Sequence, residues 1–386
     1  MKQLLSEKVT GLKPSGIRRF FDVATTMKDV ISLGVGEPDF DTPWFIREEG
    51  IYSLERGRTF YTSNAGLPEL KSEIANYLQR KLKVTYDSKE EIVITVGGSE
   101  GIDLAVRAMI NPGDEVIIPQ PSYVSYEPCV VMAGGDAVIL ELEEKDRFKL
   151  TPEKLEEKIT DRTKLLVLPF PNNPTGSVMN YDELVKIAEV CIKHDIWVLS
   201  DEIYAELTYT KDGHASITQV SGMKDRTILI NGFSKAYAMT GWRLGYACAP
   251  SIVLKQMLKI HQYCIMCAPT TSQYAAIAAL KGGDEEVAKM RESYNQRRRL
   301  LMKRFKDMDI PVFEPEGAFY IFPNISKFGM TSEEFALKLL DEKHVAVVPG
   351  TAFGDCGEGF LRISYAYSIK QLEQAMKKIE EFIQTI

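Results

Sequence analysis

Short apolar runs, rich in β-branched residues and separated by amphipathic stretches, recur through the middle of the sequence. These runs are EIVITV (91–96), DEVIIP (114–119), TKLLVLPF (163–170), IWVLS (196–200) and RTILI (226–230). A stretch such as YDELVKIAEVCIKHD (181–195) has the apolar spacing of a helix. Continuous apolar strands that alternate with helices are typical of a mostly parallel sheet covered on both faces. The pattern therefore predicts an α/β fold.

The last hundred residues differ in character. RESYNQRRRLLMKRF reads as a charged amphipathic helix, AFYIFPNI as a strand, and IKQLEQAMKKIEEFI as a helix with one apolar face. The polar face of this last helix mixes Glu with Lys, which favours docking on its own domain over binding to a membrane surface. A chain of 386 residues has room for two or three structural units. We therefore expect a smaller α+β domain to begin near residue 285.

Polar residues follow four of the apolar runs directly. The segments are GGSEG (97–101), PNNPTG (171–176), DEIY (201–204) and NGFSKAYAMTGWR (231–243). In open α/β sheets, ligands bind at the carboxyl ends of the strands. These four segments are therefore predicted to meet at one site.

GGSEG is open to three interpretations. It matches G-x-S-x-G, the nucleophile turn of serine hydrolases, with Ser99 as nucleophile. Its glycines also suit a turn where backbone amides approach a phosphate at a helix N-terminus. An ordinary glycine turn is the third possibility. A hydrolase also needs an acid and then a histidine, and none of the four histidines stands in a telling context.

The other strand-end residues are individually unremarkable but informative together. Lys235 alone reads as a solvated lysine, Asp201 as a helix N-cap, and PNNPTG as a plain turn. A lysine withdrawn from water, however, becomes a nucleophile for carbonyls. Lysine, aspartate, asparagine and the later Arg243, beside a phosphate-friendly turn, are the residue types that pyridoxal phosphate (PLP) requires.

Composition excludes several other classes. The net charge is -7 and no basic block is present, so a nucleic-acid ligand is not expected. The beginning of the chain lacks a signal-peptide pattern, and no stretch approaches the roughly 18 apolar residues of a membrane span. We expect a soluble cytoplasmic protein. His261, Cys264 and Cys267 have helical spacing, but their apolar surroundings favour a buried structural role, and no metal is expected.

The ordered set PNNPTG, SDEIY and GFSKAYAMTGWRLGY resembles the motifs of fold-type I PLP enzymes, specifically class I aminotransferases of the prokaryotic aspartate aminotransferase subgroup. The resemblance runs from KPSGIRRF to GFLRISYA, nearly the whole chain. Further motifs that carry it are SLGVGEPDFDTP, YTSNAGLPEL, TVGGSEGIDLA, NPGDEVIIPQPSYVSY, EGAFYIFP, VPGTAFG and LRISYA. It implies a large PLP-binding domain with a mostly parallel central sheet flanked by helices (46–284), and a smaller discontinuous α+β domain (1–45 and 285–386).

The resemblance also implies roles around the cofactor ring. Lys235 corresponds to the lysine that forms an aldimine with PLP and moves protons. Asp201 corresponds to the partner of the pyridine nitrogen, and Asn173 and Tyr204 to donors to the phenolic oxygen. Tyr123 corresponds to the ring that stacks on the pyridine. Lys235, Asp201 and Tyr204 are thus the expected catalytic residues.

Further residues are implied at the phosphate. The backbone amides of Ser99 and Glu100, the Ser234 hydroxyl and Arg243 correspond to phosphate ligands. Tyr61 corresponds to a residue that reaches the phosphate of the partner subunit. The resemblance therefore decides GGSEG in favour of phosphate and implies a homodimer with shared active sites.

Substrate binding is implied for Arg362, which would grip the α-carboxylate in bidentate fashion, with Gly36 and Asn173 nearby. The expected reaction moves an amino group from an L-amino acid, aspartate first, to a 2-oxo acid such as 2-oxoglutarate. Aromatic amino acids and N-acetyl-diaminopimelate are alternative substrates, and a PLP lyase on the same fold is the alternative reaction. No second arginine for a distal carboxylate is identified. Lys13, Ile17 and Arg107 are candidates for the side-chain pocket, with ordinary solvated or packing roles equally open.

Overall fold

The computed structural model describes residues 4–12, 14, 16, 27 and 29–386. Its strands are β1 Ile31–Ser32, β2 Ile92–Thr95, β3 Glu115–Gln120, β4 Asp136–Glu141, β5 Thr163–Leu168, β6 Trp197–Asp201, β7 Thr227–Gly232, β8 Gly245–Cys248, β9 Tyr320–Ile321, β10 Val345–Ala346, β11 Val348–Pro349 and β12 Leu361–Ser364. Its α-helices are α1 Glu7–Thr10, α2 Trp44–Glu55, α3 Pro68–Leu82, α4 Gly97–Met109, α5 Tyr126–Ala133, α6 Pro152–Lys158, α7 Tyr181–Lys193, α8 Ser251–Cys264, α9 Thr270–Gly282, α10 Asp284–Asp307, α11 Ser332–Lys343 and α12 Ile369–Ile383.

In the described part of the chain, the central sheet has seven strands, in the order β2-β8-β7-β6-β5-β3-β4. Only β8 runs antiparallel to its neighbours, β2 and β7, and the other pairs are parallel. All five predicted apolar runs lie in this sheet, as β2, β3, β5, β6 and β7. The predicted α/β class with a mostly parallel sheet is confirmed.

Both faces of the sheet are covered, as continuous apolar strands require. Leu165 and Val167 of β5 pack into the cluster that includes α4 and α8, whereas Leu166 and Leu168 pack into the cluster that includes α6 and α7. All four side chains are buried. Because successive side chains of a strand point to opposite faces, helices on both sides are needed to bury them.

A separate core joins the C-terminal segment to the N-terminal strand. The cluster contains Tyr294, Phe335, Met376 and Phe382 of α10, α11 and α12, together with Leu33. Strand β1 pairs in parallel with β10, and the Leu33 amide donates to Ala346 O at 2.8 Å. The predicted association of the N-terminal arm with the C-terminal hundred residues is consistent with this packing, and the domain boundaries stay a prediction.

In the described part of the chain, none of the helices has the length and apolar character needed to cross a membrane.

Candidate active site

One cavity of about 400 Å³ opens where the carboxyl ends of β5, β6 and β7 meet the first turns of α4 and the segment after β1. Because these strands are parallel, their ends lie at one edge of the sheet, and the residues that follow them face a common space. Lys235, Asp201, Asn173, Arg243 and Arg362 all line the cavity. The predicted convergence of the strand-end segments is therefore observed.

Lys235 follows β7 and projects into the cavity, where its Nζ donates to Gly36 O. The Nζ lies 5.8 Å from the ring centroid of Tyr204 and 5.7 Å from that of Phe319. Burial lowers the pKa of Lys235 to about 8, and the neighbouring Glu37 carboxylate opposes this shift. A larger fraction of neutral amine near pH 8 makes this lysine a better nucleophile and base than a surface lysine.

Asp201, the last residue of β6, is a buried carboxylate with only 7% of its surface exposed. The Tyr126 hydroxyl donates to its Oδ2 at 2.7 Å, and the Ile203 amide donates to Oδ1 at 3.2 Å. Desolvation raises the pKa of Asp201 to about 6, although both hydrogen bonds oppose the shift. Among the described residues, no cation forms an ion pair with this buried carboxylate, so it suits a ligand that bears a positive charge at that point.

Tyr204 is held at the cavity wall by a second tyrosine. Its hydroxyl lies 2.8 Å from the Tyr320 hydroxyl, and the two rings meet edge to face at 5.8 Å between centroids. A Cβ added to Gly36 would lie 2.3 Å from Tyr320 Oη, so a larger residue at that position would displace the Tyr320 hydroxyl. Burial raises the pKa of Tyr204 well above its ordinary value, which keeps the hydroxyl a hydrogen-bond donor.

Arg362 lies on β12, only 2% exposed, and reaches the same cavity. Its Nη1 donates to Asn173 Oδ1 at 3.0 Å and its Nη2 to Gly34 O. Its guanidinium carbon lies 4.5 Å from the ring centroid of Tyr320. Its Nε is buried with no hydrogen-bond partner among the described residues. Desolvation lowers the pKa of Arg362 because burial disfavours the charged guanidinium. The negative charge of a bound carboxylate would offset this cost.

Asn173 is free to face the cavity because its neighbour holds the loop. The side-chain oxygen of Asn172 accepts from the Thr175 amide at 3.2 Å and from the Thr175 hydroxyl at 2.9 Å. Asn172 is fully buried. The two asparagines of PNNPTG thus have different roles: Asn172 fixes the turn, and Asn173 lines the cavity.

GGSEG forms the turn into α4 and the first turn of that helix. Gly97 has a φ of +76°, and a Cβ there would lie 2.6 Å from Arg243 Nη2. The Ser99 hydroxyl lies 3.4 Å from the Tyr123 hydroxyl, and Ser234 also lines the cavity. First-turn amides lack acceptors within their helix, so this turn and Arg243 form a place for an anion.

Histidine does not occur among the described residues that line the cavity. His261 is instead bonded to Glu100, His194 to Glu156 and His214 to Glu202. A serine relay through Ser99 therefore lacks its base, which disfavours the hydrolase interpretation of GGSEG.

Other predicted residues lie outside the cavity. Tyr61 is 80% exposed on the surface of the chain. The Glu100 side chain turns to His261, whereas Arg107 pairs with Asp103 at 3.2 Å. Lys13 and Ile17 lie outside the described residues.

The expected buried role of the His261 group is only partly correct. His261 is fully buried, but Cys264 is exposed, with its Sγ 3.9 Å from Arg107 Nη1. Cys267 is half-buried. The expectation that Cys264 is buried was wrong because Cys264 is the last residue of α8, beyond His261, which is the last buried residue of that helix.

Two tyrosines of the cavity, Tyr126 and Tyr320, were not predicted. Both occur within quoted motifs, PSYVSY and EGAFYIFP, but no role was assigned to them. The spacing of Tyr126 three residues after Tyr123, at the start of α5, was the available signal. Tyr320 comes from the C-terminal segment, and no local pattern places it against Gly36.

Known proteins resemble this chain over nearly its whole length. The family model described as aminotransferase class I and II matches residues 28–379. The chain is 45% identical to an aspartate aminotransferase of Pyrococcus abyssi, with 98% of each chain covered. It is 42% identical to aromatic-amino-acid aminotransferase 2 of Thermococcus litoralis, again over 98% of each chain. The solved structure of Thermus thermophilus aspartate aminotransferase with maleate superposes with a TM-score of 0.94 at 36% identity, covering 98% of this chain and 99% of that one.

Proposed function

Because the chain belongs to the class I and II aminotransferases and is a PLP-dependent enzyme, we propose that it moves the amino group of an L-amino acid to a 2-oxo acid through the cavity around Lys235. Aspartate is the proposed first donor and 2-oxoglutarate the proposed acceptor. The observation that carries the proposal is that Lys235, Asp201 and Arg362 line one cavity, where burial shifts the pKa of all three side chains.

The residues present fit PLP. A desolvated lysine suits the cofactor's carbonyl, and the buried Asp201 carboxylate suits a protonated ring nitrogen. The turn at Gly97–Glu100, the Ser234 hydroxyl and Arg243 suit its phosphate. When bound, PLP supplies an electron sink that stabilises the charge left on a substrate carbon after proton removal.

The protein's own groups then perform the remaining work. Lys235 Nζ would hold the cofactor and, as a neutral amine, would take the proton from the substrate Cα. Asp201 keeps its charge opposite the ring nitrogen, and Tyr126 positions that carboxylate through the 2.7 Å bond. Asn173 and Tyr204 are the proposed donors to the ring oxygen, and Tyr123 the proposed stacking ring. The cavity walls would exclude water from the reacting carbon.

Arg362 serves both halves of the reaction in this proposal. An amino acid and a 2-oxo acid each carry an α-carboxylate. The planar guanidinium can bind this group through two parallel hydrogen bonds. The bond to Asn173 and the stack on Tyr320 fix the orientation of the guanidinium in advance. Pre-set geometry of this kind lowers the entropy lost when substrate binds.

Exposed aromatic residues support the proposal that the protein forms a homodimer with shared active sites. Phe60, Tyr61 and Tyr263 are 82%, 80% and 85% exposed, which is unusual for side chains of this size. Burial against a second copy removes this exposure and brings Tyr61 to the partner's phosphate turn. Chains with Lys235→Ala and chains with Tyr61→Ala, each impaired alone, should regain activity when mixed and reassembled. Absence of recovery in a confirmed mixed dimer would count against shared sites.

The test of the central proposal is Lys235→Ala. The substitution removes the nucleophile and the base together, so kcat/KM should fall by several orders of magnitude, on the order of 4 kcal/mol or more. Lys281→Ala, an exposed lysine on α9, is the matched control and should retain activity. Turnover by the Lys235 variant close to that of the control would overturn the proposal.

Donor choice is tested by a half-reaction screen. Each amino acid is added to the PLP-loaded enzyme, and loss of the yellow cofactor absorbance is ranked by rate. Aspartate should lead, with aromatic amino acids and an acylated diaminopimelate as the competing outcomes. Release of ammonia or an elimination product instead of a 2-oxo acid would indicate a lyase.

A further inference from the structure

A buried histidine holds the one acidic side chain in the first turn of α4. His261 is fully buried in α8, and its Nδ1 donates to Glu100 Oε1 at 2.7 Å. The other carboxylate oxygen, Oε2, accepts from the Val96 amide, the N-cap position of α4. Glu100 thus bridges a neighbouring helix and the backbone immediately before the GGSEG turn.

The Glu100 carboxylate can also compete with a bound anion for the backbone amides in the first turn of α4. The first-turn amides of a helix attract negative charge, and a carboxylate within the same turn can satisfy them itself. Glu100 follows Ser99, which lines the cavity. With its carboxylate committed to His261 and Val96, the first-turn amides stay available to a ligand from the cavity.

Stability alone does not account for a histidine at this position. The buried residues of α8 are Val253, Leu254, Met257 and His261, so position 261 belongs to the apolar face. The Nε2 of His261 is buried without a hydrogen-bond partner among the described residues. Leaving a polar atom unsatisfied in this way costs stability. A leucine would pack against the same face without that cost but would not hold Glu100.

We propose that His261 is a positioning residue that keeps the Glu100 carboxylate away from the phosphate turn and thereby sets the affinity for the cofactor's phosphate. This inference rests on the proposed role of the Gly97–Glu100 turn as the phosphate site. It concerns affinity for the phosphate group, and the ring contacts of Asp201 and Lys235 are independent of it.

The experiment compares PLP with pyridoxal, which has the same ring but no phosphate, in His261→Leu. Dissociation constants are measured by absorbance titration of the full-length, cofactor-free chain. His261→Leu should weaken PLP binding by about tenfold, equivalent to about 1.4 kcal/mol, and leave pyridoxal binding unchanged. His194→Leu is the matched control, because His194 forms a hydrogen bond of the same 2.7 Å length with Glu156, and neither residue lines the cavity. It should change neither constant.

A double variant separates positioning from a packing defect. Adding Glu100→Gln to His261→Leu removes the competing charge and should restore most of the lost PLP affinity. Equal weakening of PLP and pyridoxal, or no recovery in the double variant, would overturn the role of His261. Failure of the wild-type chain itself to bind PLP more tightly than pyridoxal would instead overturn the proposed phosphate site. Thermal unfolding of the cofactor-free chains should show His261→Leu no less stable than wild type.

Discussion

Substitution of Asp201 by asparagine should stabilise the cofactor-free protein while it destroys activity. Asp201 is 7% exposed, and its two described hydrogen-bond donors, Tyr126 and Ile203, are both neutral. An ionised carboxylate in this setting loses more hydration than two neutral donors return. Asparagine has nearly the same shape and carries no charge, so the variant removes the cost and leaves the packing in place.

The magnitude follows from the pKa of Asp201, which burial raises from 3.8 to about 6. A pKa that is higher by one in the folded state than in the unfolded state corresponds to about 1.4 kcal/mol, so ionised Asp201 destabilises the folded state by about 3 kcal/mol at pH 8. Asparagine has one acceptor oxygen for two donors, and the lost hydrogen bond costs about 1 kcal/mol. The net expectation is a gain of about 2 kcal/mol in the free energy of unfolding.

The dependence on pH gives the prediction its sign. Because the folded-state pKa lies above the unfolded value, the folded wild type takes up a proton before the unfolded chain does as the pH falls. Wild type therefore gains stability relative to the variant as the pH falls from about 6 to about 4. The advantage of Asp201→Asn should be present at pH 8 and lost near pH 4.

Urea unfolding of both cofactor-free chains, at one protein concentration and at pH 8, 6 and 4, measures this difference. Asp161→Asn, an exposed loop carboxylate, is the control and should show no comparable trend. An Asp201 variant that is less stable than wild type at pH 8, or a difference that does not change with pH, would refute the reasoning. Activity of the loaded variant should fall by several orders of magnitude, since the ring nitrogen loses its charged partner.

Three further predictions follow from the cavity. Arg362→Lys replaces a planar guanidinium, which can form two parallel hydrogen bonds, by a single ammonium group. In steady-state assays, kcat/KM for the amino acid and for the 2-oxo acid should therefore fall together, by roughly 30-fold or about 2 kcal/mol. Unequal losses would contradict a shared carboxylate site. Gly36→Ala places a Cβ 2.3 Å from Tyr320 Oη, so kcat should fall at least about tenfold. Adding Tyr320→Phe, which removes that hydroxyl, should recover part of the lost kcat. An unimpaired Gly36→Ala variant would show that the Tyr320 side chain can move away from the added methyl group. The rate of PLP capture, followed by stopped-flow absorbance, should rise with pH and level off above the Lys235 pKa of about 8, whereas a flat profile would mean that another group limits capture.

The parallel part of the fold was predictable because its strands are buried on both faces. Such strands read as continuous apolar runs, and five of the seven central strands were found in this way. The edge strand β4 was missed because its burial is incomplete and its ends, Asp136 and Glu141, are exposed. Strand β8 was missed because it begins with Gly245 and contains no β-branched residue, whereas the equally short β2 consists entirely of β-branched residues. A Cβ at Gly245 would lie 2.6 Å from the Gly97 carbonyl carbon, so a tertiary contact, not strand propensity, selects that residue.

The site was predictable to the extent that it follows the strand ends. Asn173 lies five residues after β5, Asp201 is the last residue of β6, and Lys235 lies three residues after β7, so order in the sequence places them together. Tyr126 and Tyr320 reach the cavity from α5 and β9, and their partners lie far away along the chain. Local periodicity carries no information about such contacts. The role of His261 is of the same kind, because its bond to Glu100 joins residues 161 positions apart.

Two buried charges in the cavity oppose each other in sign and lack ionic partners among the described residues. Asp201 receives two neutral donors, and Arg362 contacts a carbonyl and an amide oxygen. Each therefore costs stability in the cofactor-free protein, and each is relieved by a ligand, Asp201 by a cationic ring and Arg362 by a carboxylate. The whole chain carries a charge of -7, so attraction for an anionic substrate has to come from such local groups.

These two contacts are the same for every amino acid and every 2-oxo acid, and they cannot rank donors by their side chains. Ranking must come from the rest of the wall, where Glu37 is the other carboxylate among the described lining residues. A dicarboxylate donor such as aspartate thus needs a cation or donor beyond Arg362 to offset Glu37, and the bond from Thr240 to Glu37 at 3.3 Å offsets only part of that charge. Turnover and donor preference are for this reason separable: substitutions at Asp201 and Arg362 should lower the rates for all donors alike, whereas substitutions near Glu37 should reorder them.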